Sequence, residues 1–348
     1  VRGTATLTSD REVLVSSDAG EYSLSADIVL IATGAQPRVL ATAIPDGRRI
    51  LTWKQLYDLE ELPQHLIVVG SGVTGAEFAS AYHALGSEVT LVSSREHVLP
   101  GQDSDAAQVI EEVFARRGIT VVSKARAESV QAGSDGVRVQ LADGRVIEGS
   151  HCLMAVGSLP NTSGLGLDAA GVETDERGFV QVDRVSRTSA RGVYAAGDCT
   201  GVEMLASVAA MQGRIAMWHA LGDTVKGLDL NTVSANIFTD PEIATVGVTQ
   251  AQVDAGEVSA EVIVLPLSGN PRAKMQGIRD GFVKIFCTHT NRTVVGGVVV
   301  APKASELVYP LTLAVEKHLT VDDLATTFTV YPSLTGSIAE AARRLRAT

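Results

Sequence analysis

The sequence predicts an α/β protein of 348 residues. It should hold two Rossmann-like dinucleotide-binding domains, the first truncated, and a C-terminal α+β domain. Three observations predict this. Residues 66–77, LIVVGSGVTGAE, run an apolar strand into the turn Gly70-Ser71-Gly72-Val73-Thr74-Gly75 and then into a helix. The pattern A-x-G-x-x-P closes two units, at Ala32–Pro37 and at Ala155–Pro160, yet only the second has a glycine-rich opening. The chain is therefore expected to begin inside a first dinucleotide-binding domain. After Gly227 the texture changes to several strands followed by helices, the mark of an α+β module starting near residue 231.

The elements follow in order. Residues 12–16 and 21–25 are expected to pair around Ser17–Gly20 and to feed a buried strand, Ile28–Ile31. Pro37 to Arg49 is a linker, and Leu51–Leu62 a short amphipathic helix ended by Pro63. A helix from about Thr74 to Leu85 stops at Gly86, the strand Glu88–Val92 comes next, and a second helix, Ala106–Arg117, stops at Gly118. Asp143-Gly144 turns a hairpin between Val137–Leu141 and Val146–Glu148. A strand at Val193–Ala196 leads through Gly197-Asp198 to a helix from about Ala206 to Leu221. Strands are expected at Val233–Phe238, Val262–Leu265, Phe282–Cys287 and Val294–Val300.

A hydrophobic content of 45% supplies sizeable cores, and the length suits two or three domains. A net charge of −11 argues against nucleic acid or an anionic membrane as the main partner. No apolar run reaches transmembrane length. Cys152, Cys199 and Cys287 lie far apart and form no C-x-x-C or C-x-x-x-x-C pair, so neither zinc nor a local redox disulfide is indicated. They are expected as buried small apolar residues, and a reducing cytoplasmic location fits them.

The glycine-rich turn has a chemical reading. Gly70 permits the tight turn, Gly72 lets backbone approach a pyrophosphate, and Gly75 lets helix and strand pack closely. Val73 and Thr74 open the helix, whose free N–H groups favour phosphate. The next strand ends in Ser93-Ser94-Arg95, where an NAD enzyme usually carries Asp or Glu for the ribose. Two hydroxyls and a guanidinium suit a 2′-phosphate, which favours NADPH with NADH tolerated. Further on, the strand ending in Gly197-Asp198 offers a carboxylate to sugar-like hydroxyls. Leu205-Ala206-Ser207 then opens a helix whose N-terminus could stabilise negative charge on a reduced flavin.

IATGAQPR, GSGVTGAEF, AVGSLPNT, TSARGVYAAGDC, LASVAAMQGR and FTDPEIATVGVT occur in that order. With them the chain resembles the flavoprotein disulfide reductases, the group of lipoamide dehydrogenase, glutathione reductase and mercuric reductase. The resemblance implies FAD contacts at Thr33, Gly34 and Asp198, a helix from Ala206 aimed at the flavin, and Glu77 beside the nicotinamide; Gly157 and Gly197 are further candidate cofactor contacts. It also implies a homodimer formed through the C-terminal domain. On this basis residues 1–45 and 161–230 are FAD-domain segments, 46–160 the NAD(P)H-binding domain and 231–348 the dimerisation domain.

The chain departs from its family at the tail. Where those reductases read His-x-His-Pro-Thr-Leu-Ser-Glu, this sequence has Thr329-Val330-Tyr331-Pro332-Ser333-Leu334-Thr335-Gly336. Tyr331 replaces the histidine that serves the reacting thiolate, and Gly336 the glutamate that orients it. A phenol, which ionises near pH ~10, is a poor proton shuttle at neutral pH. Ser158 likewise replaces a common arginine. Glu77 and Tyr331 are the candidate catalytic residues of a flavin-dependent NAD(P)H:quinone oxidoreductase, resembling an actinobacterial lipoamide-dehydrogenase-like subgroup. Two alternatives stand beside it: a disulfide reductase with an unusual proton donor, and a non-catalytic nucleotide-binding redox sensor.

Overall fold

The computed structural model describes residues 1–347, which divide into two compact units. The first comprises residues 1–38 and 157–229. Thr4–Leu7, Glu12–Ser17 and Gly20–Ser25 form an antiparallel meander. Val29–Ile31 runs parallel to Val193–Ala195, with Ile31 opposite Ala195. The two A-x-G-x-x-P endings, read as separate closures, pair with each other: Ala35–Pro37 lies antiparallel to Ser158–Pro160, with Pro37 opposite Ser158. Leu7, Ile31, Leu167, Val180, Val193 and Cys199 build the core of this unit, and the helix Ala206–Ala220 buries Val208, Gln212, Ile215 and Ala216 along one face.

The second unit comprises residues 39–156 and 230–348. Its first layer is a fully parallel sheet in the order Ile50–Leu51, His151–Met154, His65–Val69, Glu88–Val92, Thr120–Val122. The central strand is buried from Leu66 to Val69 on both faces, which is why it reads as an unbroken apolar run. The helices Val73–Leu85 and Ser104–Arg117 each end on a left-handed glycine, Gly86 at φ 108° and Gly118 at φ 94°. A second antiparallel meander comprises Ala127–Ala132, Val137–Leu141 and Val146–Gly149.

The C-terminal sheet is antiparallel, in the order Ser234–Ile237, Glu242–Gly247, Val294–Ala301, Phe282–Thr288, Ala260–Pro266. Its strands alternate faces. Phe282, Phe286, Val298 and Val300 pack with Leu66, Leu91 and Phe114 of the Rossmann layer. Val283, Ile285 and Val299 pack with Leu311, Ala314 and Ile338 of the following helices. A shared apolar core thus joins this sheet to the Rossmann layer within one unit.

Two elements differ from expectation. The helix over 51–62 is a single turn, Trp53–Leu56. Leu51 belongs to a strand instead. Strand Glu242–Gly247 was not foreseen, because Pro241 and Gly247 leave only a short apolar run. His318, at φ 54°, terminates the helix Tyr309–Lys317. The three cysteines are free and buried, and burial pushes the Cys152 thiol up to about 12. Among the described residues, no helix is long and apolar enough to cross a membrane.

Candidate functional site

The glycine-rich turn sits at the carboxyl end of the central parallel strand, beside the end of Glu88–Val92, where α/β sheets bind ligands. Its three glycines do different work. A Cβ on Gly75 would lie 1.8 Å from the Gly70 carbonyl oxygen, and one on Gly70, at φ 111°, would lie 2.2 Å from the Ala155 oxygen. Those two are demanded by packing. A Cβ on Gly72 would meet nothing within 4 Å. Gly72 is also the N-cap of the helix, with no side-chain cap and no acidic residue in the first turn. Val73 and Thr74, which open that turn, are exposed. Uncapped N–H groups facing open space at a glycine fit a pyrophosphate.

The serine ending requires a correction. Ser93 is fully buried, its hydroxyl 2.7 Å from that of Ser71 and accepting from the Arg95 N–H at 3.1 Å. It ties the strand end to the glycine turn and has no free face for a 2′-phosphate. Ser94 and Arg95 are exposed and remain available. Glu96, which could oppose an anion there, is engaged with Lys124 at 2.7 Å; that ammonium holds its carboxyl below the ordinary range.

In the first unit, Thr33-Gly34 and Gly197-Asp198 follow neighbouring parallel strands, so the fold brings these two signals together at adjacent carboxyl ends. Gly34 has φ 69° and open space at its Cβ position. Its carbonyl accepts from the Asn161 N–H at 2.9 Å, and the Thr33 carbonyl accepts from the Asn161 side chain at 3.0 Å. Gly157, at φ 98°, accepts from the Arg38 N–H at 2.9 Å. The Gly197 N–H donates to Gln212 Oε1 at 2.8 Å, and Thr200 Oγ1 donates to the Gly197 carbonyl at 2.8 Å. This leaves the half-buried Asp198 at the start of a 3-10 turn. Leu205 is the N-cap of the helix that follows, again with no side-chain cap, and Ala206 and Ser207 are exposed in its first turn. Open backbone at Gly34, at a strand end next to the one that leads to Gly197-Asp198, fits part of a flavin nucleotide site. Gln212 went unnoticed in the sequence, although a lone amide on an otherwise apolar helix stripe is a readable signal.

Glu77 is not a solvated first-turn carboxylate. It is half-buried, Oε1 accepts from the Phe238 N–H at 2.9 Å, and burial raises its pKa against the lowering effect of that bond. Tyr331 is 81% exposed and lines a cavity of about 260 Å³ with Asn270, Ser333, Gly336, Glu340 and Arg343. Glu77 is not among the residues that line it. The Gly336 N–H donates to Ser333 Oγ at 3.0 Å. Asn270, which the sequence reading missed, holds this loop: its amide donates to the Ser333 carbonyl at 2.9 Å and to Ser337 Oγ at 2.7 Å.

Comparison with known proteins shows the family. Residues 2–213 match the model of the pyridine nucleotide-disulphide oxidoreductases, and residues 233–342 that of the dimerisation domain of the same family. Over 332 residues the chain is 60% identical to an NAD(P)H dehydrogenase (quinone) of Mycobacterium tuberculosis, covering 95% of this chain and 67% of that protein. It is 34% identical over 342 residues to a dihydrolipoyl dehydrogenase of Chlamydia pneumoniae, covering 98% and 73%. The crystal structure of LpdA from Mycobacterium tuberculosis superposes with a TM-score of 0.92 at 58% identity, over 99% of this chain and 75% of that one. The HOCl-induced flavoprotein disulfide reductase RclA from Escherichia coli superposes with a TM-score of 0.90 at 25% identity, over 99% and 78%. This chain belongs to the pyridine nucleotide-disulphide oxidoreductase family.

Proposed function

We propose that the chain serves a FAD-dependent oxidoreductase that draws electrons from NAD(P)H, with NADPH favoured and NADH tolerated, and passes them to a quinone-type acceptor without dithiol exchange. Its family uses FAD and NAD(P)H, and a relative at 60% identity is named for quinone reduction. When bound, the flavin would supply two-electron chemistry between nicotinamide and acceptor.

The residues of the chain would supply binding and orientation. The helix start at Gly72–Gly75 would take the nicotinamide nucleotide's pyrophosphate, and Ser94 with Arg95 its 2′-phosphate. Thr33, Gly34 and Asp198 would hold FAD, with the helix start at Leu205–Ser207 aimed at it and Gly157 and Gly197 as further cofactor contacts. Glu77, held by the Phe238 N–H, would orient beside the nicotinamide. Residues 1–45 with 161–230, residues 46–160 and residues 231–348 would be the FAD, NAD(P)H and dimerisation domains of a homodimer.

The single observation that carries the acceptor is the pair Tyr331 and Gly336. Thiol exchange needs a base poised near neutral pH and held at the sulfur. Here an exposed phenol and a glycine whose N–H is tied to Ser333 fill those places. A quinone needs access to the reduced flavin and a proton source. The test is NADPH oxidation by the complete FAD-loaded enzyme with benzoquinone, naphthoquinone, lipoamide and glutathione disulfide. Quinone turnover with negligible disulfide turnover supports the proposal. Robust lipoamide reduction sinks it in favour of a disulfide reductase, and no oxidation with any acceptor favours the sensor.

A further inference from the structure

Lys284 stands in the middle of the C-terminal sheet, on the face turned to the Rossmann layer, with its side chain fully buried. Its ammonium lies 2.7 Å from Asp103 Oδ2 and 2.7 Å from Asp105 Oδ2. The rings of Phe282 and Phe286 flank it, with centroids at 5.7 and 6.0 Å. A charge so removed from water is costly unless paired, and an apolar residue of similar volume would serve the core as well or better. Stability alone therefore gives no reason for a lysine here. What the ion pair does specify is the position of Asp103.

Asp103 has two partners at once. Oδ1 accepts from the N–H groups of Asp105 and Ala106 at 3.1 Å, capping the helix Ser104–Arg117, while Oδ2 is held by Lys284. That helix reaches back to the nucleotide turn. Its Glu111 Oε1 accepts from the Val98 N–H at 2.7 Å, and the next residue, Leu99, donates its N–H to the Ser71 carbonyl at 2.7 Å. Ser71 in turn bonds Ser93. The segment 93–103 is thus pinned at one end by the serine pair, in the middle by Glu111 and at the far end by Lys284, and Ser94 and Arg95 lie inside it.

We propose that Lys284 is a positioning residue for the nicotinamide nucleotide: by fixing Asp103 it fixes the 93–103 segment that presents Ser94 and Arg95 beside the glycine turn. This rests on the reading of that turn as the NAD(P)H site.

The test measures NADP⁺ binding by titration calorimetry on the complete FAD-loaded enzyme, with flavin absorption and melting temperature recorded alongside. Lys284→Met is expected to raise the dissociation constant by roughly three- to thirtyfold with the flavin spectrum unchanged. Val299→Ala, a cavity on the opposite face of the same sheet, is expected to lower the melting temperature and leave that constant unchanged. Should Lys284→Met fail to fold, Asp103→Asn makes the same comparison, because asparagine also caps helices. An unchanged constant in the Lys284 or Asp103 variant, or an equal rise in Val299→Ala, overturns the proposal. Gly72→Val separates the two layers of inference. Binding lost there but kept in Lys284→Met removes the role of Lys284 alone, whereas binding kept in both removes the site as well.

Discussion

The hydroxyls of Ser71 and Ser93 lie 2.7 Å apart, buried, and join the glycine-rich turn to the end of the neighbouring strand. A serine that reads as a ribose or phosphate contact is a strut between the two loops that make the site. The consequence is a division of labour among three adjacent residues, with the inner serine holding the shape and the outer pair, Ser94 and Arg95, facing solvent.

Nucleotide choice should therefore respond at Ser94 and not at Ser93. Ser94→Glu is expected to shift the NADPH/NADH ratio of kcat/KM towards NADH by about tenfold or more, given about 1.5–3 kcal/mol for a hydrogen bond to a charged group. Ser93→Ala should leave the ratio alone and lower stability by about 1–3 kcal/mol, because it strands the buried Ser71 hydroxyl. Steady-state kinetics with both nucleotides and a denaturant titration check the pair; an unchanged ratio in Ser94→Glu removes the 2′-phosphate assignment.

The glycines should separate in the same way. Gly72→Val puts a side chain into open space, so the fold and bound flavin should persist while NAD(P)H no longer reduces the flavin. Gly75→Ala drives a methyl to within 1.8 Å of the Gly70 oxygen and should destabilise the protein itself, with backbone shifts costing about 1–3 kcal/mol or more. Anaerobic flavin bleaching and thermal melts distinguish the two. Flavin loss in Gly72→Val would mean that the dinucleotide sites are assigned the wrong way round.

Gln212 should matter to flavin retention. Gln212→Leu removes the acceptor of the buried Gly197 N–H, which leaves a donor unsatisfied at a cost of about 1–3 kcal/mol and loosens the turn that presents Asp198. The expected result is a lower FAD content on purification. Full flavin occupancy with an unchanged melting temperature would show that the turn holds without it.

Glu77 gives a pH dependence of definite sign. Burial raises its pKa in the folded state, so folding favours the protonated carboxyl. Below the unfolded-state value the group costs nothing. As pH rises from there through the folded value the cost appears, and it stays in force at neutral pH. Glu77→Gln keeps an acceptor for the Phe238 N–H and never ionises. Its melting temperature should gain on that of the parent as pH rises through the carboxylate range, and curves that stay parallel from pH ~4 to ~8 would refute this.

At the tail, Tyr331→Phe is expected to leave quinone turnover within about tenfold of the parent, less than a general acid or base contributes. The parent should show ping-pong kinetics. A collapse of lipoamide reduction in the variant, from a robust parent rate, would give the tyrosine the role of the absent histidine.

What the sequence determined by itself was everything carried by local pattern. The glycine turn after an apolar run, the two left-handed helix stops at Gly86 and Gly118, the Asp143-Gly144 hairpin and the doubled A-x-G-x-x-P endings are each written within a dozen residues, because backbone sterics and side-chain period act at that range. What only the tertiary structure decided was direction and partnership. Sequence spacing does not tell which serine of Ser93-Ser94 points inward. It does not show that the two A-x-G-x-x-P endings pair across more than a hundred residues of intervening chain. Nor does it show that Gln212 meets Gly197, that Asn270 holds the Tyr331 loop, or that Lys284 is buried against Asp103. Each of these contacts joins groups far apart in the chain. Each is set by which apolar faces close on one another, and the buried polar side chains then take the partners that closure leaves them.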